Sequence, residues 1–310
     1  MDTVLETHGL SFRYGRRPVV EGLDLEVARG DIFGFVGPNG AGKTTTIKMI
    51  LGLLTPTAGE VRVLGLPLGA RRLQALRRIG ALVESPSLYG HLTAEENLRL
   101  QRLAFGVPVR RIAAVLEETG LGEARGRLAR HFSLGMRQRL GIAMALLHEP
   151  ELLVLDEPSN GLDPAGILEL RTLLKQLAST GRVSVFLSSH LLAELEQTIT
   201  RLAVISRGRL RYQGTLAELR RREPVELRLA VGDPARALAL LREAGHAPAL
   251  TEAGAISLAT PSADAARVNA LLVRNGIDVH ELRVEQPNLE RIYMNLMQDP
   301  APEAAGGAAA

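Results

Sequence analysis

The segment Gly37 to Thr45, reading GPNGAGKTT, constrains this chain more than any other stretch. It matches GxxxxGK followed by Ser or Thr, a loop whose backbone amides cradle phosphates. The preceding Gly30 to Val36, GDIFGFV, reads as a buried strand, and the following Thr44 to Leu54, TTTIKMILGLL, as a helix, so the loop is expected at a strand-to-helix junction. Gly37, Gly40 and Gly42 let the backbone curl around Pro38, Asn39 and Ala41 with its amides inward, and with the helix N-terminus at Thr44 and Thr45 they form an anion cradle. Lys43 would reach the outer phosphates. Thr44 would offer its hydroxyl to Mg²⁺, which prefers oxygen ligands and shares them with substrate phosphates. A nucleoside triphosphate with Mg²⁺ is therefore the expected ligand.

The chain has 310 residues, room for about two domains. No run approaches the roughly 18 consecutive apolar residues of a membrane helix, so none of it is expected to span a bilayer. MDTVLETHGL lacks the basic region and apolar core of a signal peptide, and a cytoplasmic location is expected. The absence of cysteine excludes disulfides, thiolate metal sites and cysteine nucleophiles. Arg71, Arg72, Arg77 and Arg78, and Arg220 to Arg222, either contact an anionic partner or form solvated helix faces. A net charge of only +3 favours solvated faces, and no nucleic acid is expected as a partner.

From residue 1 to about 220, short apolar strands alternate with helical stretches, the pattern of an α/β layer with a mostly parallel sheet. Strand candidates include Ile32 to Val36, Leu152 to Leu155 and Val183 to Leu187. Residues 91–148 read as a helical insertion with an N-cap at Thr93 followed by Glu95 and Glu96. Composition breaks at Arg220 to Pro224, and a small β-α-β-β-α-β unit is expected over 224–298, with helix starts at Asp233 and Pro234, stops at Gly245 and Gly276, a strand Ile277 to Val284 and a closing helix Asn288 to Met297. Residues 299–310 have nothing large to bury and are expected to be disordered.

Leu152 to Glu157, LLVLDE, is a buried strand ending in two carboxylates. Side chains alternate along a strand, so Asp156 can serve the metal and Glu157 a water molecule. Together with HFSLGMRQRLGIAMAL from His131, DEPSNGLDP from Asp156 and FLSSH ending at His190, residues 3–218 resemble the ATP-binding subunits of ATP-binding cassette transporters.

That resemblance implies a P-loop NTPase cassette with a helical subdomain, followed here by a small ferredoxin-like α+β domain. It implies an ATPase that needs ATP and Mg²⁺ and works on separate integral membrane permease subunits, bound at the inner face of the membrane. It implies further that two copies, or two paired ATPase subunits, close head to tail over two ATP molecules. Catalysis would fall to Lys43, Glu157 and His190, the last as the switch histidine. Tyr14 in SFRYG would stack on adenine, unless it is a core tyrosine. Ser133 and Gly135 would belong to the signature segment that contacts the opposite subunit's γ-phosphate, although FSLGM departs from LSGGQ at Leu134 and Met136. Asp163 would be the dimer-contact aspartate. Thr44, Asp156 and Glu84 would be the metal ligands, Glu84 replacing the family's usual glutamine in GALVESPSLYGHLT. Glutamate there, with FSLGM, resembles the branch that exports or protects against bacitracin-like and lanthionine-containing peptides. The surface of Glu84, Leu88 and Tyr89 would receive a helix of the permease.

A soluble cassette ATPase acting on nucleic acid or ribosomes is the alternative, and would need a long coiled-coil insertion or a second nucleotide-binding half. A GTPase would carry NKxD, yet no Asn here precedes a Lys. The C-terminal unit could regulate, dimerise or cover a face of the core.

Overall fold

Among the described residues, three sheets organise the chain. A computed structural model describes residues 2–221, 225–251, 254–260, 264–285 and 289–298. The expected disordered tail at 299–310, Arg222 and Asn288 lie outside the described residues. The chain divides into two compact units, one running to Thr215 and the other from Leu216 to Gln298. The break falls just before the Arg220 to Pro224 stretch because the short helix at Leu216–Arg221 groups with the second unit.

In the first unit, long strands β1 (Thr3–Tyr14) and β2 (Arg17–Ala28) pair antiparallel. After β3 (Ile32–Val36) and α1 (Lys43–Ile50), β4 (Ala58–Val63) and β5 (Leu66–Pro67) complete an antiparallel sheet of order β2-β1-β4-β5. The sequence pattern did not reveal this sheet. Helix α1 is shorter than expected, because Gly52 at φ 64° turns the chain just beyond its end.

Then come α2 (Arg72–Leu76) and β6 (Ile79–Leu82), followed by the helical stretch α3 (Ala94–Phe105), α4 (Arg110–Glu118) and α5 (Leu134–Leu146). Thr93 starts α3 with a full capping box, its side chain accepting from Glu96 N while the Glu96 carboxylate accepts from Thr93 N at 2.8 Å. The unit closes with β7 (Leu152–Leu155), α6 (Pro164–Ser179), β8 (Ser184–Ser189), α7 (Leu192–Leu195), β9 (Arg201–Ser206) and β10 (Arg209–Thr215).

The central sheet has the order β10-β9-β3-β8-β7-β6, parallel throughout except where β10 meets β9. Strands β3, β7 and β8 are buried along their whole length, as a parallel sheet covered on both faces requires. The core joins Leu5, Leu23 and Val63 of the antiparallel sheet to Ile47 and Met49 of α1 and to Phe33, Phe35 and Phe186 of the central sheet. Phe33 and Phe186 stack with centroids 5.7 Å apart.

The second unit comprises α8 (Leu216–Arg221), β11 (Val225–Val231), α9 (Pro234–Glu243), β12 (Ala249–Leu250), β13 (Ile256–Thr260), α10 (Ala265–Arg274), β14 (Val279–Glu285) and α11 (Leu289–Gln298). Its antiparallel sheet, β12-β13-β11-β14, carries the ferredoxin-like strand order. Asp233 caps α9 by accepting from Arg236 N, with Pro234 in the first turn. Leu227, Leu229, Leu241, Leu258 and Leu272 pack as a separate core.

Candidate functional site

Register brings the motifs together. Leu155 of β7 lies beside Leu187 of β8, so the next residues, Asp156 and Ser188, are neighbours at the strand ends. Val36 of β3 lies beside Ser189, which puts Gly37 next to His190, and Gly37 N donates to Ser189 O at 3.3 Å. The loop, the two acids and the histidine thus leave three adjacent parallel strands at their carboxyl ends, where open α/β sheets bind ligands.

Backbone geometry tightens the loop. A Cβ on Gly37 would sit 2.4 Å from the Ile205 carbonyl oxygen, so only glycine fits there. Gly40 and Gly42 take φ of 78° and 107°, with Gly42 as the N-cap of α1. Lys43, only 6% exposed, bends back over the loop, its Nζ donating to Gly37 O at 2.8 Å and lying 3.1 Å from Glu157 Oε1. The other Glu157 oxygen is 2.7 Å from His190 Nδ1. One carboxylate therefore ties the loop lysine to the histidine.

Glu157 adopts φ 49°, a left-handed conformation uncommon outside glycine. It is held by its N–H donating to Ser188 Oγ at 2.9 Å, while the same hydroxyl donates to Asp156 Oδ1 at 2.6 Å. The acids diverge through this turn beyond β7, rather than through the strand alternation expected from the sequence. Asp156 is buried, whereas Glu157 faces an open cleft of about 530 Å³ with Val19, Asn39, Gly40, Gly42, Lys43, Thr44, Thr45, Asn160 and His190.

These residues fit ATP and Mg²⁺. The glycine cradle, a buried cation and the start of α1 converge on one cleft, which suits a triphosphate. Thr44 and Asp156 bring oxygen donors. Among the described residues no group of three or more His, Asp or Glu could hold a metal unaided. Such a donor set suits Mg²⁺ that shares its ligands with phosphates.

Other expected site residues lie elsewhere. Glu84, expected as a metal ligand, does not line the cleft. Its φ of 62° turns the side chain out to 69% exposure, where Lys48 Nζ holds it at 3.3 Å. Tyr14 is 56% exposed at the end of β1, its ring edge-on to Phe12, which rules out the core reading without placing it in the cleft. Ser133 and Asp163 are exposed helix caps, accepting from Met136 N at 3.2 Å and Gly166 N at 2.8 Å. A Cβ on Gly135 would make ordinary contact with Gly166 and Leu162 at 4.0 Å, so a small side chain would fit at the start of α5 without a clash.

Ser188, Asn160, Val19 and Lys48 were not expected as site residues. For Ser188 the signal was present in FLSSH, but only the strand register shows that its hydroxyl links both acids. Asn160 lies inside DEPSNGLDP, whereas nothing in the sequence marks Val19 or Lys48.

Known proteins resemble the chain closely. The ABC transporter family model matches residues 20–160. The bacitracin transport ATP-binding protein BcrA of Bacillus licheniformis is 40% identical over 96% of this chain and 98% of its own length. That span necessarily includes both units. The lantibiotic transport ATP-binding protein SrtF of Streptococcus pyogenes is 38% identical over 67% of this chain and 89% of its own. A solved ATP-binding subunit of an ABC transporter superposes with a TM-score of 0.63 at 36% identity, covering 71% of this chain and 92% of that one.

Proposed function

The chain belongs to the ATP-binding subunits of ABC transporters, and from that premise we propose that it is the motor of an exporter for antimicrobial peptides such as bacitracin, working as a head-to-tail dimer on separate permease subunits at the cytoplasmic face of the membrane. It binds ATP and hydrolyses it to ADP and phosphate to power transport. Among the described residues no helix is long and apolar enough to cross a membrane, which is consistent with a pore on other chains. The kinship with transport proteins over nearly the whole chain favours this reading over a soluble ATPase acting on nucleic acid or ribosomes.

The observation that carries it is the chain of contacts from Lys43 through Glu157 to His190 at the mouth of the loop. Lys43 would exchange the Glu157 carboxylate for phosphate oxygens. Glu157, still oriented by His190, is then free to accept a proton from attacking water. Thr44 and Asp156 would hold Mg²⁺, which neutralises phosphate charge when bound. Glu84, engaged by Lys48, is left out of that set. Ser133, Gly135 and Asp163 are accessible for the trans contact, and Tyr14 for adenine, as the head-to-tail arrangement needs. Tyr89, 55% exposed, suits a permease contact.

Purification of the chain from detergent-solubilised membranes, with ATPase assays of wild type beside Glu157→Gln, tests this. A polytopic membrane protein should accompany it, and the substitution should lower turnover about 100-fold or more while ATP binding persists. Recovery of ribosomal or DNA-processing partners alone would overturn the transport reading.

A further inference from the structure

Strand β8 ends in two serines, and the first of them, Ser188, is fully buried and does not line the cleft. Its hydroxyl accepts from Glu157 N at 2.9 Å, and the single proton it can give goes to Asp156 Oδ1 at 2.6 Å. Asp156 Oδ1 is thereby occupied, which leaves Oδ2 as the oxygen without a partner among the described residues. Register fixes this arrangement, since Leu155 of β7 lies beside Leu187 of β8 and the chain turns directly after β7. On its other side the same strand end holds the phosphate loop, through Gly37 N and Ser189 O.

Glu157 needs such a tether. Its φ of 49° lies in a region that a residue with a Cβ occupies only when its neighbours hold it there. Besides Ser188, Asn160 N donates to its carbonyl at 3.1 Å, Lys43 Nζ lies 3.1 Å from Oε1, and His190 Nδ1 lies 2.7 Å from Oε2. Those three contacts are all at the cleft. Lys43 turns to phosphate oxygens when nucleotide binds, His190 is 36% exposed, and Asn160 is exposed in the turn after Glu157. Of the four, Ser188 alone is embedded in the central sheet, where nucleotide cannot displace it. Asp156 gives that tether its direction. Without an acceptor for its proton, the hydroxyl could swing the proton toward Glu157 N–H and lose the hydrogen bond.

The geometry points to Ser188 as the positioning residue that aims Glu157 at the attacking water, with Asp156 fixing the direction of its hydroxyl. One buried group then sets both acids, the one on the metal side and the one on the water side. The inference rests on the roles proposed for Asp156 and Glu157.

Ser188→Ala in the full chain should lower kcat about tenfold to a hundredfold while KM for ATP stays within about threefold of wild type, because a misaimed base weakens the transition state and not nucleotide binding. Rates are referred to the fraction of chains that binds ATP, so that unfolded protein does not count. Ser184, at the other end of β8, supplies the control. It is 1% exposed and accepts from Gly30 N at 2.8 Å, so Ser184→Ala strands a backbone amide on the same strand away from the cleft. That variant should keep kcat within about twofold of wild type. A second readout needs no nucleotide. Hydrogen exchange at Glu157 N should be at least about tenfold faster in Ser188→Ala, with amides inside β7 changed less than about threefold, and should be unaltered in Ser184→Ala. Wild-type kcat in Ser188→Ala, an equal loss in Ser184→Ala, or an unaltered Glu157 amide in Ser188→Ala would overturn the proposal. Undiminished turnover in Glu157→Gln would instead remove the base from the proposed function, and the amide readout would still report whether Ser188 holds the turn.

Discussion

At the scale of single residues, two side chains show how a local environment sets chemistry. Ser188 donates to Asp156 and accepts from the Glu157 backbone, so one hydroxyl holds a metal-type carboxylate and supports the left-handed turn that presents Glu157. His148 is the counterpart away from the cleft. Its ring stacks on Phe105 with centroids 4.1 Å apart, its Nε2–H donates to the Ile79 carbonyl at 3.0 Å, and its Nδ1 is buried without a partner. Burial lowers its pKa from the usual 6.5, against a smaller opposing effect of the Ile79 hydrogen bond. A depressed folded-state pKa means that the unfolded chain takes up the proton first. The stability conferred by neutral His148 is therefore complete above about pH 6.5 and is lost as pH falls below that toward the folded value. Replacing it with glutamine, which can still donate to Ile79, should flatten this slope. Urea unfolding at pH 7 and pH 5 should show a smaller acid loss in His148→Gln than in wild type, and equal losses would refute the assignment.

At the scale of elements, the loop ahead of α3 is ordered by one buried helical side chain. Asn97 accepts from Tyr89 N at 2.9 Å and donates from Nδ2 to Tyr89 O at 3.1 Å and Thr93 O at 2.9 Å, fixing the exposed Tyr89 surface. Asn97→Ala strands these backbone groups and should cost about 1–3 kcal/mol in chemical unfolding. Basal ATPase should survive while co-purification with the permease weakens. A variant as stable as wild type would show that the loop orders itself. The sequence exposed the helix start at Thr93, because a hydroxyl followed by acids is a local signal, but Asn97 looks like any polar helix residue until its burial is seen. The same limit hid the antiparallel sheet. Bulges in β1 and β2, with Gly9 and Gly22 at positive φ, interrupt the two-residue alternation that marks strands. Strands β3 and β7 match their expected spans because a fully buried strand is a continuous apolar run. Lys43, Asp156, Glu157 and His190 were legible for a different reason, since each sits at a fixed offset from a strand end. The Lys48 partner of Glu84 was not, since a surface ion pair between the last turn of α1 and the segment after β6 depends on how the two come to rest.

At the scale of the whole molecule, two cores on one chain make separable stability the natural expectation. The unit ending at Thr215 packs around Phe33, Phe35 and Phe186, and the unit 216–298 around Leu227, Leu229 and Leu241. All the cleft residues belong to the first. A ligand that binds only the native state stabilises the body that holds its site, by about 2.7 kcal/mol at a hundredfold excess over Kd. For a body of this size each kcal/mol moves the midpoint by roughly 2–4 °C. Calorimetry should therefore resolve two transitions. A non-hydrolysable ATP analogue with Mg²⁺ should raise one of them by roughly 5–11 °C and leave the other in place. A single transition that moves as a whole with nucleotide would mean that the two cores unfold as one cooperative body. The C-terminal unit would then report on the ATP site through packing rather than stand as an independent module.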